Sequence, residues 1–87
     1  MWEEGTFVID NVKFFYIAKV FPLGSEFGIN GGRISKLQIY NKDDFENGCT
    51  WDDCIVHYDR GWNVKPRPCD RLGSKALSYV LSLYPSK

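Results

Sequence analysis

The sequence predicts an α+β fold, an antiparallel four-stranded sheet with one C-terminal helix packed on one face. Three observations predict it. Short runs of strand-forming residues alternate with Gly, Asn and Pro turn signals from residue 5 to residue 62. A stiff connector, Lys65-Pro66-Arg67-Pro68, then excludes both helix and strand interior. The last stretch before Pro85 carries apolar residues at helical spacing. At 87 residues the chain holds one domain.

Residues 5–10 form the first expected strand, because Thr6, Phe7, Val8 and Ile9 all suit a pleated backbone. Asp10-Asn11 follows; both types tolerate a left-handed backbone, so a tight hairpin is expected. Residues 12–21 make the second and longest strand. One face carries Val12, Phe14, Tyr16, Ala18 and Val20, and the other Lys13, Phe15, Ile17, Lys19 and Phe21. Both faces are partly apolar, which fits a central strand covered on two sides, or a second face that binds something. Pro22, Gly24 and Ser25 break this strand, and Gly28, Asn30, Gly31 and Gly32 make a loop of unusual backbone freedom. Residues 33–40 resume the strand pattern. Residues 41–53 are polar and acidic around Phe45 and Trp51 and read as a long loop. Residues 54–59 form the fourth strand, ended by Arg60-Gly61-Trp62. Asp70 suits the N-cap of a helix over 71–84, with Leu72, Ala76, Tyr79, Val80 and Leu83 as its apolar face. Gly73 weakens the first turn by about 1 kcal/mol relative to Ala.

Composition narrows the function classes. Eleven Lys and Arg balance eleven Asp and Glu, for a net charge of zero and a pI near 6.5. A protein that coats nucleic acid carries a basic excess, so that class is disfavoured. Hydrophobic residues are 44% and aromatic residues 16% of the chain, which is enough to build a core and argues against disorder. No apolar run is long enough to span a membrane, and the acidic start Met-Trp-Glu-Glu does not resemble a signal peptide, so a cytoplasmic location is expected. Cys49, Cys54 and Cys69 are odd in number and do not suggest a disulfide framework.

The segment richest in chemistry is Gly28-Ile-Asn-Gly-Gly-Arg-Ile-Ser-Lys36. Its glycines and Asn30 could converge backbone N–H groups into an anion-binding nest. Arg33, Ser35 and Lys36 add a forked cation, a hydroxyl and a point charge, which suits a phosphate or carboxylate. It is neither a Walker loop nor a dinucleotide fingerprint. The plainer alternative is a glycine-rich turn with solvated Arg33 and Lys36. The second segment is Tyr58-Asp59-Arg60-Gly61-Trp62. Here Tyr58 and Trp62 could stack a ring while Arg60 holds a phosphate. Alternatively Trp62 anchors the core and Asp59 orients Arg33 or Arg60.

Cys49, Cys54, His57 and Cys69 invite a zinc reading, but C-x4-C-x2-H-x11-C lacks the tight C-x2-C knuckle, so neither metal nor cofactor is expected. The acid–base set is thin, so the protein is not read as an enzyme, with hydrolysis of a nucleotide signal as the enzymatic alternative. Asp43, Asp44, Glu46, Asp52 and Asp53 surround Phe45 and Trp51, a surface that could dock a basic partner.

With the motifs Gly28–Leu37 and Tyr58–Trp62 in view, the chain resembles an uncharacterised family of small proteins encoded by phages and prophages. The likeness includes Ala18-Lys19-Val20-Phe21, Gly24-Ser25-Glu26-Phe27-Gly28 and the C-terminal helix, and covers most of the chain outside residues 41–53. The cysteines and His57 are not part of that pattern. The family brings no established activity. The resemblance implies a setting, an accessory protein that blocks a host defence protein or sequesters a nucleotide signal inside an infected or lysogenic bacterium.

These readings favour capture of a phosphorylated, nucleotide-like ligand by Gly28, Asn30, Gly31, Gly32, Arg33, Ser35, Lys36, Tyr58, Arg60 and Trp62. A chain this small encloses little on its own, so a homo-oligomer is expected. On this reading Arg33→Ala abolishes binding. The alternative is a protein–protein inhibitor of a host defence protein, docking through Phe45, Trp51, Asp52 and Asp53 or a sheet edge. A nucleic-acid-binding module is the third class.

Overall fold

The computed structural model describes residues 1–46, 48, 54–67 and 69–85, with the side chains of Asp44 and Phe45 excepted. Five strands, not four, form one antiparallel meander in the order β1-β2-β3-β4-β5. They are β1 (Trp2–Ile9), β2 (Val12–Val20), β3 (Ile34–Asn41), β4 (Val56–Asp59) and β5 (Trp62–Val64). A short helix α1 (Lys42–Glu46) follows β3, and α2 (Arg71–Leu83) closes the chain.

Asp10 and Asn11 both take positive φ, 51° and 65°, the type I′ hairpin geometry that matches strand twist. β1 begins earlier than the strand-forming residues alone suggest. As an edge strand it tolerates Glu3 and Glu4, and its first residue pairs back on β2: Met1 and Val20 exchange N–H···O=C bonds of 3.2 and 2.8 Å.

The fifth strand corrects the expectation of four strands, the last over residues 54–59 with Arg60-Gly61-Trp62 as its end. Arg60, at φ 54°, and Gly61 form a turn in which the Asp59 N–H donates to the Gly61 carbonyl at 2.9 Å. The chain reverses and pairs Trp62 with Tyr58 and Val64 with His57. Residues 42–46, expected as loop, are helical; the Asp43 N–H donates to Asn41 Oδ1 at 3.0 Å, and Lys42 reaches Glu46 one turn on at 3.7 Å.

Helix α2 covers one sheet face. Asp70 caps it as expected, its Oδ1 accepting from the Gly73 N–H at 2.8 Å. A Cβ on Gly73 would lie 2.5 Å from that same carboxylate, so the glycine that weakens the turn is what admits the cap. Gly73, Ala76 and Val80 are buried, flanked by Leu72, Leu77, Leu81 and Tyr84. The buried stripe therefore runs through residues 77 and 81 rather than through Tyr79 and Leu83, which stay about two-fifths exposed (41% and 42%). Small residues at 73 and 76 let the helix backbone approach the sheet, which sets that rotation. Tyr79 still stacks on Phe7, at 4.7 Å between ring centroids. The core lies between α2 and the sheet, on Phe7, Phe14, Tyr16, Leu37, Ile39 and Val56.

The opposite face holds Trp2, Glu4, Thr6 and Val8 of β1, then Lys13, Phe15, Ile17 and Lys19 of β2, by strand alternation. On β3, Lys36, Gln38 and Tyr40 join them as register partners of Lys19, Ile17 and Phe15. Tyr40 is buried, so this outer face is closed at that end, where α1 packs against β2 and β3. The other end stays open.

Candidate functional site

At the open end, seven residues surround a hollow of about 320 Å³: Lys19, Phe21, Ser25, Phe27, Ser35, Lys36 and Arg60. Three devices assemble it. The first is a β-bulge. β2 and β3 pair Lys19 with Lys36 and then Val20 with Ile34, leaving Ser35 as the extra residue. A bulge re-aims side chains, and here both Ser35 and Lys36 line the hollow. The second is the Arg60 turn. The Arg60 N–H donates to the Ser35 carbonyl at 2.9 Å, which fixes the β4–β5 turn beside the bulge. The third is the loop 22–32, which folds on itself to bring Ser25 and Phe27 over the sheet end.

That loop depends on close approach. A Cβ on Gly28 would fall 1.9 Å from the Gly32 carbonyl oxygen, and one on Gly24 2.5 Å from that of Gly31. Its amides are used internally: Ser25 donates to Gly32, Gly28 to Ser25, Gly31 to Gly28 and Gly32 to Ile29, all at 2.9–3.1 Å. Gly28, Gly31 and Gly32 therefore hold the loop and do not present free N–H groups to an anion. Asn30 sits exposed at φ 56° in the 3-10 turn Ile29–Gly31. Tyr58 is buried, and its hydroxyl donates to the Phe27 carbonyl at 2.8 Å, tying the loop to β4.

The charges are unevenly matched. Lys36 Nζ and Arg60 Nε lie 3.8 and 3.9 Å from one oxygen, Asp59 Oδ1. One carboxylate thus serves two cations, in ion pairs exposed enough to contribute little and to exchange readily. Lys19 Nζ sits 5.6 Å from the Phe21 ring centroid and 6.0 Å from that of Trp2, a cation–π arrangement; no described carboxylate lies within ion-pair distance of it. Phe21 and Phe27 are 40% and 53% exposed, so two ring faces are available beside three cations.

The structure brings together Ser35, Lys36 and Arg60 of the sequence-predicted set and leaves the others elsewhere. Arg33 turns to the helix side, where its Nε donates to the Phe21 carbonyl at 2.8 Å. It neither lines the hollow nor pairs with Asp59. It lines a separate cleft of about 540 Å³ with Glu3, Phe21 and Tyr84. Tyr58 and Trp62 pack edge to face on each other, 5.0 Å between centroids, and Lys65 covers the Trp62 ring at 5.3 Å. A further cleft, about 530 Å³, holds Lys65 and Arg67 against Ser74 and Ser78 of α2, but no aromatic ring lines it. The residues that motif reading missed are Lys19, Phe21, Ser25 and Phe27. The first two were marked by period-two alternation along residues 12–21; Ser25 and Phe27 stood out in the stretch that carries the family resemblance, with no chemistry attached to them.

Among the described residues no group of three or more His, Cys, Asp or Glu could hold a metal; Cys49 lies outside them. Cys54 is buried and Cys69 exposed. Trp51, Asp52, Asp53 and the side chain of Phe45, the expected docking surface, also lie outside the described residues. No described helix is long and apolar enough to cross a membrane. No curated protein and no solved structure matches the chain. A family model described as a domain of unknown function, DUF7678, matches residues 1–85, and the chain belongs to that family.

Proposed function

We propose that this protein is a small binding protein that captures a phosphorylated ligand bearing a flat ring, such as a nucleotide, in the hollow beside the β3 bulge. The observation that carries the proposal is the convergence of Lys19, Lys36 and Arg60 around Phe21 and Phe27 with one shared carboxylate. A phosphate displaces Asp59 from Lys36 and Arg60 and gains charge-assisted hydrogen bonds. Ser25 and Ser35 offer hydroxyl donors, and the ring lies against the phenylalanines. Capture of this kind sequesters the ligand and needs no acid–base pair. The wider setting we propose, a phage or prophage accessory protein acting in counter-defence inside a bacterial host, rests on the resemblance to small phage-encoded proteins.

The test is calorimetric titration with adenosine diphosphate at low salt, with adenosine and pyrophosphate as its two halves. The expected result is that the diphosphate binds more tightly than either half and that affinity falls as salt rises. The variant Lys36→Ala/Arg60→Ala loses about a hundredfold or more, since each charge-assisted bond contributes about 1.5–3 kcal/mol. No binding to the native protein at millimolar ligand, or equal binding to the double variant, overturns the proposal.

A further inference from the structure

We infer that two copies of this chain join through β1, antiparallel and centred on Gly5, to make one continuous sheet. The two sheet edges are unlike each other. β5 is only three residues long and runs into Pro66, which blunts it. β1 is eight residues long, contains no Pro, Lys or bulge, and among the described residues is paired on one side only. Such an edge is a template for another strand.

The register follows from hydrogen-bond parity. Met1 and Val20 exchange both backbone bonds, so by antiparallel alternation residues 3, 5, 7 and 9 also point their polar groups at β2. The N–H and C=O groups of Trp2, Glu4, Thr6 and Val8 therefore point outward. A second β1 must pair even residues with even residues. Four such registers overlap by five residues or more. Pairing centred on Phe7 leaves Trp2 and Glu4 outside the seam. Pairing centred on Glu4 sets that carboxylate against itself. Pairing centred on Thr6 sets Glu4 against Val8 and Trp2 against Asp10.

Pairing centred on Gly5 sets Trp2 against Val8 and Glu4 against Thr6. Trp2 and Val8 are the exposed large apolar side chains of this strand, at 57% and 59%. This register covers both in each copy, opposes no like charges, and gives Glu4 a hydroxyl neighbour. Gly5 faces Gly5 at a close, non-hydrogen-bonded position, where the absence of a side chain suits the short approach. The occupant is therefore a second copy, since the strand complements its own sequence. This inference does not depend on the ligand proposed above.

The test is molar mass in solution by light scattering behind size exclusion, for the native chain, Thr6→Glu and Thr6→Lys. Thr6 is exposed and its side chain leaves the core untouched, so both variants keep the native circular dichroism spectrum. The native chain runs at twice 10.1 kDa. Thr6→Glu puts a carboxylate opposite Glu4 in both halves of the seam and runs as a monomer. Thr6→Lys puts an ammonium there instead and remains a dimer, one that dissociates at lower concentration than the native in low salt and loses that advantage in high salt. A monomeric native chain at 100 micromolar, or two variants that behave alike, overturns the inference; adenosine diphosphate binding can fail without affecting either result.

Discussion

Lys36 of β3 and Asp59 of β4 are register partners, and the lysine Nζ reaches the carboxylate at 3.8 Å. The same carboxylate oxygen lies 3.9 Å from Arg60 Nε, so Asp59 holds two cations of the hollow in place and also blunts their charge. Asp59→Asn is expected to tighten adenosine diphosphate binding by about threefold to tenfold, with the gain shrinking as salt rises. These ion pairs are substantially exposed, so the stability change stays below about 1 kcal/mol. Titration calorimetry at two salt concentrations, with a urea melt alongside, checks both statements.

Arg33 and Lys36 are three residues apart and serve opposite sides of the sheet. Arg33→Ala removes the bond to the Phe21 carbonyl and is expected to cost about 1 kcal/mol of stability while leaving diphosphate affinity within about twofold. Lys36→Ala shows the reverse, a weakened ligand and an unchanged melt. Parallel titrations and thermal melts of the two variants make the comparison.

Gly28 is required by space. Its φ is −79°, which any residue adopts, but an added methyl meets the Gly32 carbonyl. Gly28→Ala is expected to destabilise the protein by about 3 kcal/mol, at the upper end of single substitutions. Diphosphate binding falls with it, because the displaced loop carries Ser25 and Phe27. Chemical denaturation and a titration of the same sample read both effects.

The Tyr16 phenol lies 2.9 Å from that of Tyr84, and burial first, then this hydrogen bond, pushes its pKa up from the ordinary value near 10. The fold favours the neutral phenol, and the unfolded chain loses that proton first. The contribution is intact below about pH 10 and is lost progressively as pH climbs above it. Tyr16→Phe should therefore lose stability less steeply than the native protein over that interval. Urea unfolding at about pH 8 and about pH 11 measures the slope.

Much of this was legible from local pattern. Asp10-Asn11 announced its turn, Asp70 its cap, and alternation along residues 12–21 separated Lys19 and Phe21 from the core residues beside them. Local pattern failed where structure depends on distant strands. The bulge at Ser35 exists only in the pairing of β2 with β3, and it decides that Lys36 enters the hollow while Arg33 does not. Phe27 is held by the Tyr58 hydroxyl, 31 residues away in sequence. The glycines of 28–32 suggested a nest, yet their amides close the loop on itself. β5 was hidden because Arg60 adopts a positive φ, which its residue type does not signal.

The central claim is that the hollow beside the β3 bulge holds a phosphorylated ring ligand. Native mass spectrometry of protein purified gently from bacterial cells, beside the Lys36→Ala/Arg60→Ala variant prepared identically, tests it most directly. The expected result is a reproducible retained mass of nucleotide size on the native protein, lost from the variant and regained when adenosine diphosphate is added to the native protein stripped by dialysis. A native protein that stays bare even with added diphosphate, or a variant that retains the same mass, would contradict it.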